Sequence, residues 1–349
     1  MKHFRVSFLV SVLCLAGAAW WGYSRGGVSG ALSALGIATI LAIKEVSLSF
    51  DNAVVNASVL KTWDKFWQSL FLGVGIIIAV FGMRLLFPLV IVAQAADLSL
   101  VEVWNLALND PNAYSTHLTN HHAEVAAFGG IFLLLVFLNF LLDDEKEMHW
   151  LGRFEEKLGA LGKISSISVM IALGTLMASL SMIEQGQKLV VLTAGLWGVL
   201  TYVGVDVVSG LLEKQEEGGS NVGDLVKRGG IGGFLYLEVL DASFSFDGVI
   251  GAFAITKDVV IIMLGLAIGA MFVRSMTVFL VRKGTLDEFV FLEHGAHYAI
   301  GILAVIMLAS MKFHIPELFT GLIGVAFIVA SLWSSIRYKR QQGALNMAV

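Results

Sequence analysis

The chain has 349 residues, of which 57% are hydrophobic and 14% charged, with a mean hydropathy of +0.82 and a formal net charge of −4. A soluble globular protein carries about 25% charged residues, so this composition excludes a water-facing surface over most of the chain. The weak net charge gives no indication of a nucleic-acid partner, and the single cysteine, Cys14, excludes an internal disulfide framework and a cysteine metal cluster.

Apolar segments follow one another along the whole chain. Each is long enough to cross the ~30 Å hydrocarbon core of a bilayer as a helix. In chain order they lie near residues 6–23, 30–60, 67–95, 123–142, 164–183, 189–212, 231–256, 259–281, 289–310 and 317–336. We therefore predict an all-α fold, a polytopic transmembrane helix bundle of about ten helices.

The first segment also resembles a signal peptide. Lys2 and Arg5 precede its apolar stretch, and small residues follow at positions 16–19. Because the apolar run continues through Trp20 and Trp21, an uncleaved signal anchor is favoured over a cleaved signal.

The distribution of basic residues predicts the orientation. With the N-terminus inside, only four of the 23 Lys and Arg fall in outer loops, and the outer loop 96–122 has none. The inner loops 143–163 and 213–229 are interpreted as solvated connectors. The prediction is a multi-pass protein of the bacterial cytoplasmic (inner) membrane with both termini cytoplasmic.

The chain contains an internal repeat. Glu45-Val-Ser-Leu-Ser-Phe-Asp51-Asn52 is followed, 196 residues later, by Asp241-Ala-Ser-Phe-Ser-Phe-Asp247-Gly248. The pattern predicts two membrane repeats, residues 1–184 with an acidic motif at 45–52 and residues 185–349 with an acidic motif at 238–248. Because the motifs lie five segments apart, the repeats face opposite ways across the membrane. This 5+5 inverted-topology repeat is typical of transporters with a site at the midplane.

Acidic residues inside apolar segments indicate function, since each costs at least about 2.5–3.5 kcal/mol at the bilayer centre. Carboxylates, hydroxyls and amides together form a hard oxygen site, which suits Mn²⁺, Mg²⁺ or Ca²⁺. A divalent cation would also relieve the repulsion between the carboxylates. The alternative is structural pairing of the acids with Lys44, Arg84 and Arg274. The sequence leaves open whether the motifs are regular helices or locally unwound.

Two histidine clusters open the fourth and ninth segments. His121, His122 and Glu124 form the first, and Glu293, His294 and His297 form the second. They could be ligands, proton carriers or interfacial residues. The chain has no His-Glu-x-x-His motif and no P-loop, so ATP is not the predicted energy source.

Glu45-x-x-Leu48-x-x-Asp51-Asn52 is similar to the first signature of the TerC-like integral membrane proteins, and Glu238-x-x-Asp241-x-x-x-x-x-Asp247 is similar to their second. The resemblance covers residues 30–95 and 231–310. It is strongest to a bacterial branch long catalogued as a domain of unknown function. One departure is Gly248, where the family often has Ser.

The resemblance implies metal-ion homeostasis, either manganese efflux or a tellurite-resistance phenotype. It also implies the candidate metal ligands Glu45, Asp51, Asn52, Glu238, Asp241 and Asp247. We add the expected supporting or gating residues Ser49, Ser245, Arg84, Arg274, Glu293, His294 and His297.

The expected function is that of a secondary transporter exporting a divalent cation, most simply Mn²⁺, with protons as the coupling ion, the lipid bilayer as its environment and no organic cofactor. The alternative is a non-transporting membrane scaffold or metallochaperone partner that binds metal in a stress response. A third reading, an intramembrane hydrolase, needs a nucleophile and a base, for which the chain offers only loose parts. The chain is therefore not expected to be an enzyme.

Overall fold

The computed structural model describes residues 4–75, 77–144, 146, 148–164, 166–212, 229–283, 289–313 and 315–346. Every regular element within these ranges is a helix. The inner loop predicted at 213–229 lies almost entirely outside the described residues. The structure therefore confirms the predicted class, a helical bundle rich in long apolar helices.

Helix α1, Arg5–Leu48, folds back on itself as a helical hairpin. Its backbone is not helical at Gly26 and Gly27, where Gly27 has φ 60° and ψ −145°. Gly22 and Gly30 then approach so closely that a Cβ on either would overlap the carbonyl oxygen of the other. Because glycine has no Cβ, Gly27 adopts the positive φ at low cost, and Gly22 and Gly30 allow the two backbones to approach.

The rest of the first half is a series of shorter helices. The chain continues through α2 (Phe50–Leu60), α3 (Lys65–Leu70), two π-helical stretches (Phe71–Gly75 and Ile78–Leu86), α4 (Phe87–Ala96), α5 (Leu100–Asn109), α6 (Pro111–Asn120) and α7 (His122–Leu141). The predicted outer loop 96–122 is thus largely helical. Its first helix begins with a capping box in which the side chains and backbones of Ser99 and Glu102 bond reciprocally.

The second half contains the longer helices. It comprises α8 (Arg153–Gly159), α9 (Ile167–Ser179), α10 (Lys188–Leu212), α11 (Ile231–Ile255), α12 (Val259–Lys283), α13 (Leu292–Ser310) and α14 (Glu317–Asn346). Apart from the charged α8 and the polar end of α14, these sequences are largely apolar, as expected of helices that face either lipid or other helices.

The structure does not reproduce the predicted set of ten spanning helices. Among the described residues, seven helices are long and apolar enough to cross a membrane, or eight if the bent pair 153–162 and 167–182 counts as one span. Two of the predicted segments are merged in the α1 hairpin, and α11 carries three acids within ten residues. The chain is a multi-pass helical membrane bundle, with a helix order that differs from the prediction.

The helices that carry the acidic motifs pack at the centre of the bundle. Helix α12 contacts both arms of α1, and α7 packs along α13. At one end of this contact Ser7 hydrogen-bonds the Met271 carbonyl oxygen, and at the other the Trp21 indole donates to Asp258. These contacts hold α1 against α12 along the whole length of that helix.

The inner loop 143–163 is not merely the solvated connector that we predicted. The side chain of Glu155 is 0% exposed and lies 2.5 Å from the Lys146 ammonium. A Cβ at Gly162 would overlap the carbonyl oxygen of Leu142, so this part of the chain packs tightly against the end of α7. The prediction missed this packing because composition does not distinguish a buried Lys–Glu pair from a pair on the surface.

Candidate functional site

The first acidic motif is helical, with one interruption. Glu45 lies in the last turn of α1, and Asp51 and Asn52 lie in the first turn of α2. Between the two helices only Ser49 leaves helical geometry, with φ −102° and ψ 19°. The second motif lies within the continuous helix α11. Of the two forms that the sequence left open, the structure has the helical one, with a single break.

The two motifs meet at Arg84, which projects from the second π-helical stretch. Its Nη2 donates a hydrogen bond of 2.8 Å to Glu45 Oε1, and its Nη1 lies 4.0 Å from Asp241 Oδ2. Nη1 also donates to the carbonyl oxygen of Ala79 at 2.9 Å. Arg84 is 5% exposed and Glu45 4% exposed, so this is an ion pair inside the bundle. Such a pair is strongly coupled because water does not screen it.

A second bond joins the motifs directly. The Asn52 amide nitrogen donates to Asp241 Oδ1 at 2.8 Å, and both side chains are buried. Asp241 therefore lies near the positive charge of Arg84 and accepts a hydrogen bond from Asn52. Both partners belong to the first half of the chain.

One pocket lies on the Asp241 side of this junction. It is a small cavity of about 30 Å³, lined by Asn56, Glu238, Asp241, Arg84 and Arg274 among apolar residues. Glu238 is 5% exposed, and neither of its carboxylate oxygens has a hydrogen-bond partner among the described residues. Buried polar groups are normally bonded, so this pocket contains acceptors that lack a donor or a cation.

Another small pocket, with a cavity of about 60 Å³, lies on the Glu45 side. Its polar lining residues are Glu45, Ser49, Asp51, Asn52 and Thr320. The Asp51 carboxylate is buried, and its Oδ1 accepts the backbone N–H of Asn52 at 2.9 Å. The Arg84–Glu45 and Asn52–Asp241 bonds each join a residue that lines one pocket to a residue that lines the other.

Glycine backbones lie directly against these carboxylates. A Cβ at Gly248 would lie 2.8 Å from Glu45 Oε2, and one at Gly324 would lie 2.6 Å from Asp51 Oδ2. A residue larger than glycine at position 248 would occupy the space that the Glu45 carboxylate fills. This is a physical reason for glycine at the position where TerC-like proteins often have serine.

The other predicted site residues lie in several places. Ser245 is buried, and its hydroxyl has no hydrogen-bond partner among the described residues. The Arg274 guanidinium donates to the carbonyl oxygen of Leu72 rather than to an acid of the motifs. The side chain of Asp247 lies outside the described part of the structure.

The ninth-segment cluster lines neither pocket. His294 Nε2 bonds the Met148 carbonyl oxygen at 2.8 Å and lies 3.6 Å from Glu155, while the His297 ring stacks on Phe140. Glu293 lies 3.8 Å from the Lys61 ammonium. His294 thus connects α13 to the inner loop, whereas His297 packs on α7 and Glu293 lies near Lys61 at the end of α2. None of the three lines the pockets beside the carboxylates.

The fourth-segment cluster forms a local contact. His121 Nδ1 lies 2.7 Å from Glu124 Oε1, three residues further along the helix. Both side chains are partly exposed, which agrees with an interfacial position.

Our site prediction omitted Asn56, Glu155 and Lys146. Asn56 carried a signal, since it lies four residues after Asn52 on the same helix face. Its amide oxygen is buried without a hydrogen-bond partner in the first pocket. Nothing in the sequence distinguished Glu155 from its neighbour Glu156.

Within the described residues, no three side chains of the types His, Cys, Asp and Glu converge in a way that would hold a metal ion. Glu45 and Asp241, one acid from each motif, are connected through the guanidinium of Arg84. In the conformation described, a protein cation thus stands where the carboxylates converge.

The fold and the site define a multi-pass helical membrane protein with a buried cluster of carboxylates and one arginine at the junction of two related motifs. The chain belongs to the family described as "Protein of unknown function (DUF475)", whose model matches residues 50–342. No curated protein matches the chain, and no solved structure does.

Proposed function

We propose that the protein is a secondary transporter that exports divalent metal cations, most simply Mn²⁺, through the carboxylates of the two motifs. The observation that carries the proposal is the convergence of Glu45, Asn52 and Asp241 on one buried junction, with a polar pocket on each side. A buried junction between two pockets is what alternating access requires, because the substrate must reach the same groups from either side.

The donor chemistry supports a hard divalent cation. The junction and its pockets offer carboxylate, amide and hydroxyl oxygens, and their described lining contains no thiol and no imidazole. Oxygen-only sites suit Mn²⁺, Mg²⁺ and Ca²⁺. Carboxylates that release a divalent cation can take up protons, so proton exchange is the coupling that this chemistry favours.

The packing supports an internal repeat. Helix α11 packs on α7, while its counterpart α2 packs on α13. Helix α12 packs on α2, while the stretch Ile78–Leu86 packs on α11. These two pairs of contacts are related by exchange of the halves, as expected of a two-fold repeat. The similarity of both motifs to TerC-like proteins supports the same assignment, with a place in metal or tellurite stress.

The test is cation flux in proteoliposomes made with the full chain. We expect Mn²⁺ uptake driven by an outward proton gradient, and loss of most of that flux in Asp51→Ala and Asp247→Ala. A matched control is Asp110→Asn, which changes an acid at an exposed helix cap that Asn also serves. Full flux in both motif variants would contradict the proposal. Binding of Mn²⁺ without flux would instead favour the scaffold or metallochaperone function.

A further inference from the structure

Two observations call for an explanation beyond a carboxylate site. Two buried acids, one from each motif, are joined by an arginine, and a neighbouring glutamate has no hydrogen-bond partner among the described residues. Arg84 lies between Glu45 and Asp241. Glu238 lines the adjoining pocket with both oxygens unbonded among the described residues.

The charges explain why an arginine occupies the junction. Glu45 and Asp241 are both buried, and two carboxylates that share a low-dielectric site repel each other unless a cation or a proton lies between them. Arg84 supplies that charge. It is permanently protonated, so it offsets one of the two negative charges whenever no other cation is bound.

The same position excludes a metal ion. A divalent cation needs its oxygen ligands at about 2–2.6 Å, whereas Glu45 Oε1 and Asp241 Oδ2 each face the guanidinium. The cation and the guanidinium cannot occupy the space between the carboxylates together. Glu238 and the Asn56 amide oxygen line the pocket next to Arg84, and neither has a hydrogen-bond partner in the described part of the chain. They offer a place where an arriving cation would be held first.

The helix that carries Arg84 is suited to movement. Arg84 lies in the π-helical stretch Ile78–Leu86. A π-helix is rare and contains one residue more per turn than the α-helix, and such stretches are frequent at functional sites. Return to α-helical winding would turn the Arg84 side chain about the helix axis and away from Glu45.

We propose that the Arg84 guanidinium is the tethered counter-cation of this site: it occupies the place between Glu45 and Asp241 that the transported cation takes, and the two exchange during each cycle. This inference rests on the proposed transport function and adds its regulation. Arg84 neutralises the carboxylates after the cation has left, so the empty carrier does not require bare buried acids. It also keeps the resting affinity low, because each incoming ion must displace it.

The test is Mn²⁺ binding to the full chain in lipid nanodiscs, measured by calorimetry. Arg84→Gln removes the competing charge and should bind Mn²⁺ at least about tenfold more tightly than the wild type, which corresponds to about 1.4 kcal/mol. Arg84→Lys keeps the charge and should bind within about threefold of the wild type. Arg274→Gln removes a charge from the same pocket but breaks no bond to an acid of the motifs, so it should tighten binding by a smaller factor.

A second measurement needs no variant. Phenylglyoxal modifies accessible arginines, and peptide mass spectrometry reports its rate at Arg84. If Mn²⁺ displaces the guanidinium, the rate at Arg84 should rise several-fold when Mn²⁺ is added to the wild-type chain.

Four outcomes would overturn the inference. If the wild type binds Mn²⁺, Asp241→Asn loses binding, and Arg84→Gln is no tighter than the wild type, the tethered-cation role fails while the metal site stands. An equal effect of Arg274→Gln, or an unchanged labelling rate at Arg84, also contradicts it. If neither the wild type nor folded Arg84→Gln binds Mn²⁺, the proposed function fails, and this inference fails with it.

Discussion

Asn52 in the first acidic motif donates a hydrogen bond of 2.8 Å from its amide nitrogen to Oδ1 of Asp241 in the second. The two residues are 189 positions apart, and the bond is buried. It joins the two halves of the chain at the point where the related motifs meet. Together with the Arg84–Glu45 pair it separates the two polar pockets.

The bond should contribute measurably to stability. Asn52→Ala leaves the buried Asp241 oxygen without its donor, which should cost about 1–3 kcal/mol. Thermal unfolding of the purified chain in detergent measures this loss. The control is Asn56→Ala, one turn further along α2, whose buried amide oxygen has no hydrogen-bond partner among the described residues. An equal loss in both variants would show that this bond adds nothing beyond packing.

The Arg84–Glu45 pair should behave as a coupled unit. Arg84→Met alone should destabilise the protein by about 3–5 kcal/mol, because it leaves the buried Glu45 and Asp241 charges without their cation. Glu45→Gln leaves Arg84 facing Asp241 and should cost less. The double variant should cost less than the sum of the two, with a coupling energy of about 1–3 kcal/mol. A double-mutant cycle on unfolding midpoints supplies the comparison. Additive losses would mean that the two charges do not interact.

Gly269 should tolerate no side chain. A Cβ there would overlap Cβ and Cγ of Glu45, the stem of the side chain rather than its flexible end. Gly269→Ala should therefore cost about 1–3 kcal/mol of stability by overpacking, and it should weaken Mn²⁺ binding by moving the Glu45 carboxylate.

Gly36 provides the matched control, since a Cβ at this α1 position meets nothing within 4 Å. Gly36→Ala should be neutral or stabilising by about 0.5–1 kcal/mol, because alanine loses less entropy in a helix. Equal behaviour of the two alanine variants would contradict the close approach of Glu45 to α12.

The inner loop offers a test that is independent of the metal site. Glu155 is buried against Lys146, and its Oε2 accepts the backbone N–H of Leu151 at 3.0 Å. Glu155→Ala should destabilise the protein by about 3–5 kcal/mol, because it leaves the Lys146 charge buried without its partner. The neighbouring Glu156 is exposed, and Glu156→Ala should change stability by less than about 0.5 kcal/mol. A similar effect at the two positions, in chemical denaturation, would argue that the loop does not dock.

The membrane character of the fold was predictable because it depends on the lengths of apolar runs, which the sequence states directly. The order of the helices was less predictable from the sequence. The hairpin in α1 depends on the contact of Gly22 with Gly30, and the interruption at Ser49 depends on how α1 and α2 pack. Both are tertiary effects that a count of apolar residues does not contain.

The candidate site, like the fold, was predictable from the sequence only in part. Spacing and composition were enough to select the acids of the two motifs, because acids in apolar segments are rare. Arg84 and Arg274, however, each lie in the apolar segment that follows a motif, and only the packing shows that Arg84 bonds Glu45 whereas Arg274 bonds the Leu72 carbonyl. His294 and His297 looked like candidates because of their spacing, but their partners, Met148 and Phe140, lie outside their own helix.

The central claim is that the carboxylates of both motifs bind one divalent cation at the junction now held by Arg84. An experimental structure with Mn²⁺, located by its anomalous scattering, tests this most directly. We predict one Mn²⁺ between Glu45 and Asp241, with oxygen ligands at about 2.1–2.3 Å, close to hard-cation distances, and with the Arg84 guanidinium displaced from Glu45. Mn²⁺ bound at another position, with the Arg84–Glu45 pair intact, would contradict the account.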